Sequence, residues 1–237
     1  MINELYKKLN SITLLPPVKE NELIIRNMCH RLINELNLIP FPGDYCNHKE
    51  KIRNSCLDRI RLLNYDLILK SNKDNYAFES YDITSAVKNT VCACEIVLCK
   101  NPVTISFKSL GNVTGILPIK LLISIVTLII RIFYISSDKK EIFFSVKRKK
   151  DLIILLARSD NNKPDILISS EEISVLRKAA YLLGGSCLIK NNNGEVHLAF
   201  SIKSENTDLS SCKMIPDYVD LLLDKISEIH IGLSGIN

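Results

Sequence analysis

The chain has 237 residues and a formal net charge of +5, room for one large domain or two small ones. Hydrophobic residues make up 46% and aromatic residues 6%, with no tryptophan, so a globular core has to be built from Leu, Ile and Val. The charge is mild and no Lys/Arg-rich arm or aromatic-basic interleaving is present, which argues against nucleic acid as a partner; eight cysteines without a signal peptide read as thiols of a reducing cytosol.

Residues 1–18 read as a lead-in that ends at Pro16-Pro17. Residues 19–39 carry one helical stripe, Ile25, Met28, Leu32, Leu36 and Ile39, and "PFPGD" (residues 40–44) stops it. A second helix is expected over residues 49–70, with Ile52, Cys56, Ile60, Leu63 and Leu67 as its stripe. Two such helices joined by a short loop make an antiparallel hairpin with one apolar face uncovered. Two copies would cover it as a four-helix bundle, so a homodimer is expected. Residues 71–75, "SNKDN", read as a polar linker.

From residue 75 the texture alternates. Residues 82–100 read as a helix, 103–108 as a strand and 118–136 as a buried helix. Residues 141–147 and 151–158 form a hairpin around the basic turn "KRKK", taken as a solvated loop. A helix over 173–183 ends at Gly184-Gly185, a second hairpin pairs 186–190 with 195–203 across "NNNG", and 215–231 reads as one amphipathic helix. This order indicates an α+β sandwich with helices on one face of a mixed sheet. The divisions are 1–18, 19–74 and 75–237.

Two local patterns are set aside. "LLISIVTLII" is bracketed by Lys120 and Arg131, short of the roughly 20 apolar residues a membrane span needs, so it reads as a core helix and no membrane partner is expected. "CACEIVLC" and the Cys46/His48 pair match no metal-ligand spacing and read as packing residues.

His30 stands out. At about 100° per residue it lies roughly opposite Leu32, on a face with Arg26, Asn27, Asn34 and Asn37. Asn34, four residues on, sits beside the imidazole. Across the hairpin the second helix reaches the same level near residues 56–59, which brings Arg59 and Arg61 close. A neutral imidazole is nucleophilic, and the flanking Arg26 and Arg31 guanidiniums would stabilise a transferring phosphoryl group.

The series His30, Arg31, Asn34, Leu36, Ile39 resembles the phosphoacceptor box of sensor histidine kinases, and "CHRLINELNLI" is similar to the same stretch of the sporulation and alphaproteobacterial cell-cycle histidine phosphotransferases. The resemblance spans residues 20–203 and implies a dimerising helical hairpin followed by a degenerate histidine-kinase-type ATPase sandwich. Its departures cluster in the second half. The buried helix of an active kinase carries two asparagines for Mg²⁺ and nucleotide; the matching positions here are Thr127 and Arg131. The Asp-x-Gly-x-Gly box falls on "RSDNNKPDI", where Arg158 or Ser159 stands near the aspartate position and Asp160 is the nearby acid. The glycine-rich lid is replaced by "LISSEEISVL", with Glu171 and Glu172 where phosphate would be cradled.

The resemblance therefore implies a histidine phosphotransferase working between receiver-domain aspartates. His30 would be the carrier, with Asn34 positioning it. Arg31 would act with it, and Arg26, Asn27, Asn37 and Arg59 would meet the receiver. No cofactor would be bound by this chain, the receiver supplying its own Mg²⁺. Two other readings stay open, a non-catalytic pseudokinase adaptor and an ATP-dependent kinase with drifted boxes, although Arg31 replaces the acid that often follows the histidine in kinases. The tail helix would cap the sheet or fill the space left by nucleotide and lid.

Overall fold

The computed structural model describes residues 28–34, 36, 46–74, 78–99, 103–136, 141–160, 170–192, 195–224, 227–234 and 236. Residues 28–34 and 36 are helical (α1), and Cys29, Leu32, Ile33 and Leu36 mesh with Cys56, Leu57 and Ile60 of a long helix α2 (Cys46–Asp74). Three- and four-residue spacing on both partners makes that seam. Arg26, Asn27 and Asn37, the lead-in and the "PFPGD" turn lie outside the described residues. α2 runs through Ser71–Asp74, read from sequence as linker, because extending a formed helix costs far less than starting one. It also buries Arg61, Asn64, Tyr65 and Leu69, since a second side of it packs on the α/β part of the chain.

That part begins with β1 (Glu79–Asp82), α3 (Ile83–Val97), β2 (Thr104–Ser109), β3 (Thr114–Leu117) and α4 (Ile119–Ser136). There follow β4 (Glu141–Lys149), β5 (Leu152–Asp160), α5 (Ser170–Leu182), β6 (Cys187–Asn192) and β7 (Glu195–Lys203). The main sheet has the order β2-β4-β5-β7-β6, parallel only between β2 and β4; β1 and β3 form a separate antiparallel pair. Alternate residues of the sheet, among them Ile142, Phe144, Val146, Leu198 and Phe200, point into one core beneath α3, α4 and α5.

α4 is the central helix. Its residues 121–134 are all buried, so the one described helix long and apolar enough to cross a membrane is instead enclosed by α2, α3, α5 and the sheet. α3 is started by Asp82, whose carboxylate accepts from the Ser85 amide at 3.1 Å. α5 ends where Gly184 takes φ +65°, Gly184 N–H donating to Tyr181 O at 3.1 Å and Gly185 N–H to Ala180 O at 2.8 Å, a Schellman close.

Three expectations need correction. β1 and β3 were not foreseen, because four-residue strands carry too little alternation to show. The turn between β4 and β5 is only Lys150-Asp151, so both strands are longer than read and "KRKK" lies mostly within β4. The tail is not one helix but two, α6 (Tyr218–Leu223) and α7 (Glu228–Gly232). α6 opens with a capping box at Asp217 and Asp220, and its end is closed by Ser227 Oγ donating to Leu221 O at 3.0 Å and by His230 Nε2 on Leu222 O at 2.9 Å. Side chains that cap the first helix thus start the second.

α7 joins two cores. Ile231 packs into the α1–α2 seam, while Ile229 and Leu233 belong to the core under the sheet. Part of the apolar face that was expected to need a second copy is therefore covered by the chain itself.

Among the described cysteines, Cys29, Cys56 and Cys94 are buried and Cys99 is exposed, and no His/Cys/Asp/Glu group fit to hold a metal occurs among the described residues. Burial pushes the Cys94 thiol up to about 12. Iodoacetamide applied to the native protein should modify Cys99 and spare Cys94 until denaturant is added. Peptide mapping that finds both labelled at one rate would contradict this packing.

Candidate functional site

The buried residues of α1 fix where His30 points. With Cys29, Leu32, Ile33 and Leu36 held against α2, His30 is left half-buried and Arg31 and Asn34 exposed. Asn34 Nδ2 lies 3.0 Å from His30 Nε2, so the amide donates to that ring nitrogen. Such an acceptor role for Nε2 requires the neutral tautomer that carries its ring proton on Nδ1. The structure brings His30 and Asn34 together as their spacing implied. Arg59 instead lines a cavity of about 420 Å³ between α2, α4 and α5, to which His30 does not contribute.

Around that cavity lies a buried ionic cluster. Arg131, on α4, is 4% exposed; its Nε donates to Glu172 Oε1 at 3.1 Å, and its Nη2 lies 3.7 Å from Asp58 Oδ1. Its Nη1 donates to the Ser234 carbonyl at 3.3 Å. Arg61, also 4% exposed, pairs with Asp58 and donates to the same carbonyl. Burial, with the neighbouring Arg131 cation, pushes Arg61 down to about 9, and burial lowers Arg131 as well. Tyr65 adds a hydroxyl with no hydrogen-bond partner among the described residues, and burial raises its pKa.

Several positions that the resemblance matches to a nucleotide site make other contacts here. Thr127 is fully buried, accepts a long contact from Cys94 Sγ at 3.9 Å, and lies so close to Gly232 that a Cβ there would meet its Cγ2 at 2.8 Å. α7 and Ser234 therefore rest on α4 beside both Thr127 and Arg131. Glu171 and Glu172 open α5, where the helix dipole favours acids, and Glu172 holds Arg131. Ser159 is 2% exposed, and Arg158 stacks over the Phe143 ring at 4.7 Å. Asp58, Tyr65 and Ser234 were not foreseen; only the i,i+3 pair Asp58/Arg61 has any local signature.

No protein-family model and no curated protein sequence matches the chain. Solved structures do. The histidine kinase AdeS of Acinetobacter baumannii is similar over 78% of this chain and 98% of its own, at a TM-score of 0.54 and 12% identity. The histidine kinase ThkA, solved in complex with the response regulator protein TrrA, is similar over 86% of this chain and 64% of its own, at a TM-score of 0.56 and 12% identity. Full-length ShkA, solved with AMPPNP, is similar over 77% of this chain and 46% of its own, at a TM-score of 0.51 and 10% identity. At such identities the likeness is one of architecture, and it is consistent across these structures: the chain has a histidine-kinase-type fold.

Proposed function

We propose that the chain is a histidine phosphotransferase of a two-component phosphorelay, acting in the cytoplasm without ATP. The observation that carries this reading is Arg131. A kinase needs a divalent cation near this helix position, and here a buried guanidinium is tied to Glu172, Asp58 and Ser234. A methyl-bearing Thr127 and a fixed cation do not fit Mg²⁺, so no step runs through nucleotide on this chain.

His30 keeps what transfer requires. Its Nε2 lone pair attacks the phosphorus of a receiver's aspartyl phosphate as the P–O bond breaks and the aspartate leaves with the electron pair. In the return step a second receiver's carboxylate oxygen attacks phosphorus and the N–P bond pair goes back to Nε2. Asn34 holds the ring at rest and releases Nε2 for attack, while exposed Arg31 faces the phosphoryl charge. Arg26, Asn27 and Asn37, which flank His30 in the sequence, are assigned to receiver contact in this reading, whereas Arg59 belongs to the cavity; the receiver brings its own Mg²⁺. Two copies pair through α1 and α2 as a four-helix bundle.

The test is to incubate the protein with a phosphorylated receiver domain and, separately, with labelled ATP and Mg²⁺. Acid-labile, base-stable label should come from the receiver alone and vanish in His30→Ala. Label from ATP would make the protein a kinase. No label from any of several cognate receivers would leave a pseudokinase adaptor.

A further inference from the structure

The outer face of the main sheet is the one turned away from α3, α4 and α5. An antiparallel sheet with one face in water normally alternates apolar and polar residues. β7 does so: Val196, Leu198, Phe200 and Ile202 face the core, and His197, Ala199 and Ser201 face out. β5, the central strand, does not. Its inward residues are Ile153, Leu155 and Ala157, yet Leu152, Ile154 and Leu156 face out. That is the pattern of a strand covered on both sides, and no described element lies on this one.

Strand register places further side chains beside them. Leu156 pairs with Ala199, which pairs with Leu188, itself 59% exposed. Phe143, Arg158, His197 and Lys190 form the next row across the sheet. Lys108 pairs with Ser145 beside Leu156, Lys147 with Ile154, and Lys149 and Lys203 both with Leu152. The apolar centre is thus ringed by Lys108, Lys147, Lys149, Arg158, Lys190 and Lys203. Among the described side chains the acids of this face, Glu141 and Glu195, lie at one end. Part of the "KRKK" run has its place here. Lys147 and Lys149 point outward, while Arg148 points the other way and donates to Ser204 O at 2.8 Å. A groove of about 510 Å³ crosses the face between Lys108 and His197.

We propose that this face docks an acidic amphipathic helix of a protein partner, its apolar side on Ile154 and Leu156 of β5 and its carboxylates on the surrounding cations. Complementary charge and an aliphatic centre select such a partner. A second copy of this chain would set cations against cations. Single-stranded nucleic acid would want open aromatic planes, and the two outward rings in the groove are both engaged, Phe143 beneath Arg158 at 4.7 Å and His197 with Glu195 at 2.9 Å. The surface is independent of whether His30 carries phosphate.

The probe is a fluorescein-labelled helical peptide of about 16 residues, leucines at three- and four-residue spacing flanked by glutamates, titrated with the full chain by anisotropy. Controls are the same peptide with lysine for glutamate and an oligothymidine of equal length. The acidic peptide should bind saturably, about tenfold more weakly in Lys147→Glu/Arg158→Glu and about fivefold more weakly in Leu156→Ser. Raising salt from about 0.05 to about 0.3 M should also weaken it about tenfold. The charge-reversal variant alters solvent-facing positions, so it keeps the test valid should Leu156→Ser melt early. No binding of the acidic peptide, or binding that ignores both variants, overturns the proposal. So does preference for oligothymidine, or a wild-type dimer that Leu156→Ser converts to monomer in sedimentation.

Discussion

Glu172→Ala should lower the unfolding free energy by about 3–5 kcal/mol, a large share of the roughly 5–15 kcal/mol of an ordinary domain. The loss is not that of one ion pair's attraction. Arg131 is 4% exposed on the central helix, and Glu172 is its close carboxylate partner at 3.1 Å; Asp58 is farther, at 3.7 Å, and itself solvent-exposed. Removing Glu172 strands a charge that burial already disfavours. Arg131→Met should cost much less, because it removes the buried charge as well, and the Glu172 left behind sits in the first turn of α5 where the helix dipole supports it. Urea melts at constant m-value would read both changes. Equal losses in the two variants would mean that packing, not charge, sets the cost.

Gly185→Ala is expected to be nearly as damaging, at about 3 kcal/mol. A Cβ at Gly185 would lie 1.9 Å from the Ser201 carbonyl oxygen, an atom of the β7 backbone that cannot swing aside. Relief requires the α5–β6 turn and β7 to separate, although Ser201 N–H donates to Ser186 O at 2.8 Å immediately beside it. Gly184→Ala makes the contrast. There the objection is the left-handed φ of +65°, worth about 1–2 kcal/mol, and the neighbour is Lys203 Cβ at 3.2 Å, a far milder approach than 1.9 Å. Thermal melts that rank Gly184→Ala as the worse of the two would refute the close approach.

Sequence periodicity carried the main elements because each has enough turns or alternations to declare its period. α4, β4, β5 and β7 fall within a few residues of their expected places, and the Gly-Gly close of α5 was legible from composition. The His30–Asn34 contact was legible too, since i,i+4 neighbours on a helix meet whatever the rest of the chain does. What escaped depends on distant partners. Arg131 could be seen as a cation at a position that the resemblance matches to a metal ligand, but not as the partner of residues 58, 172 and 234. The tail's amphipathic pattern was real, yet Ser227 and His230 turn it into two helices through bonds no hydrophobic stripe records.

The Ser234 carbonyl accepts from Arg131 and Arg61, residues 103 and 173 positions earlier in the chain. Loops of that size close slowly, although the entropy cost rises by only about 0.6 kcal/mol for each doubling of length. The β4–β5 and β6–β7 hairpins can pair within stretches of about twenty residues. A refolding chain is therefore expected to close these two hairpins early and to seat α7 late. Until it does, Ile231 and the face of α1 and α2 that it covers stay open to water, which makes the interval before that last docking step the one in which the chain is most prone to aggregate.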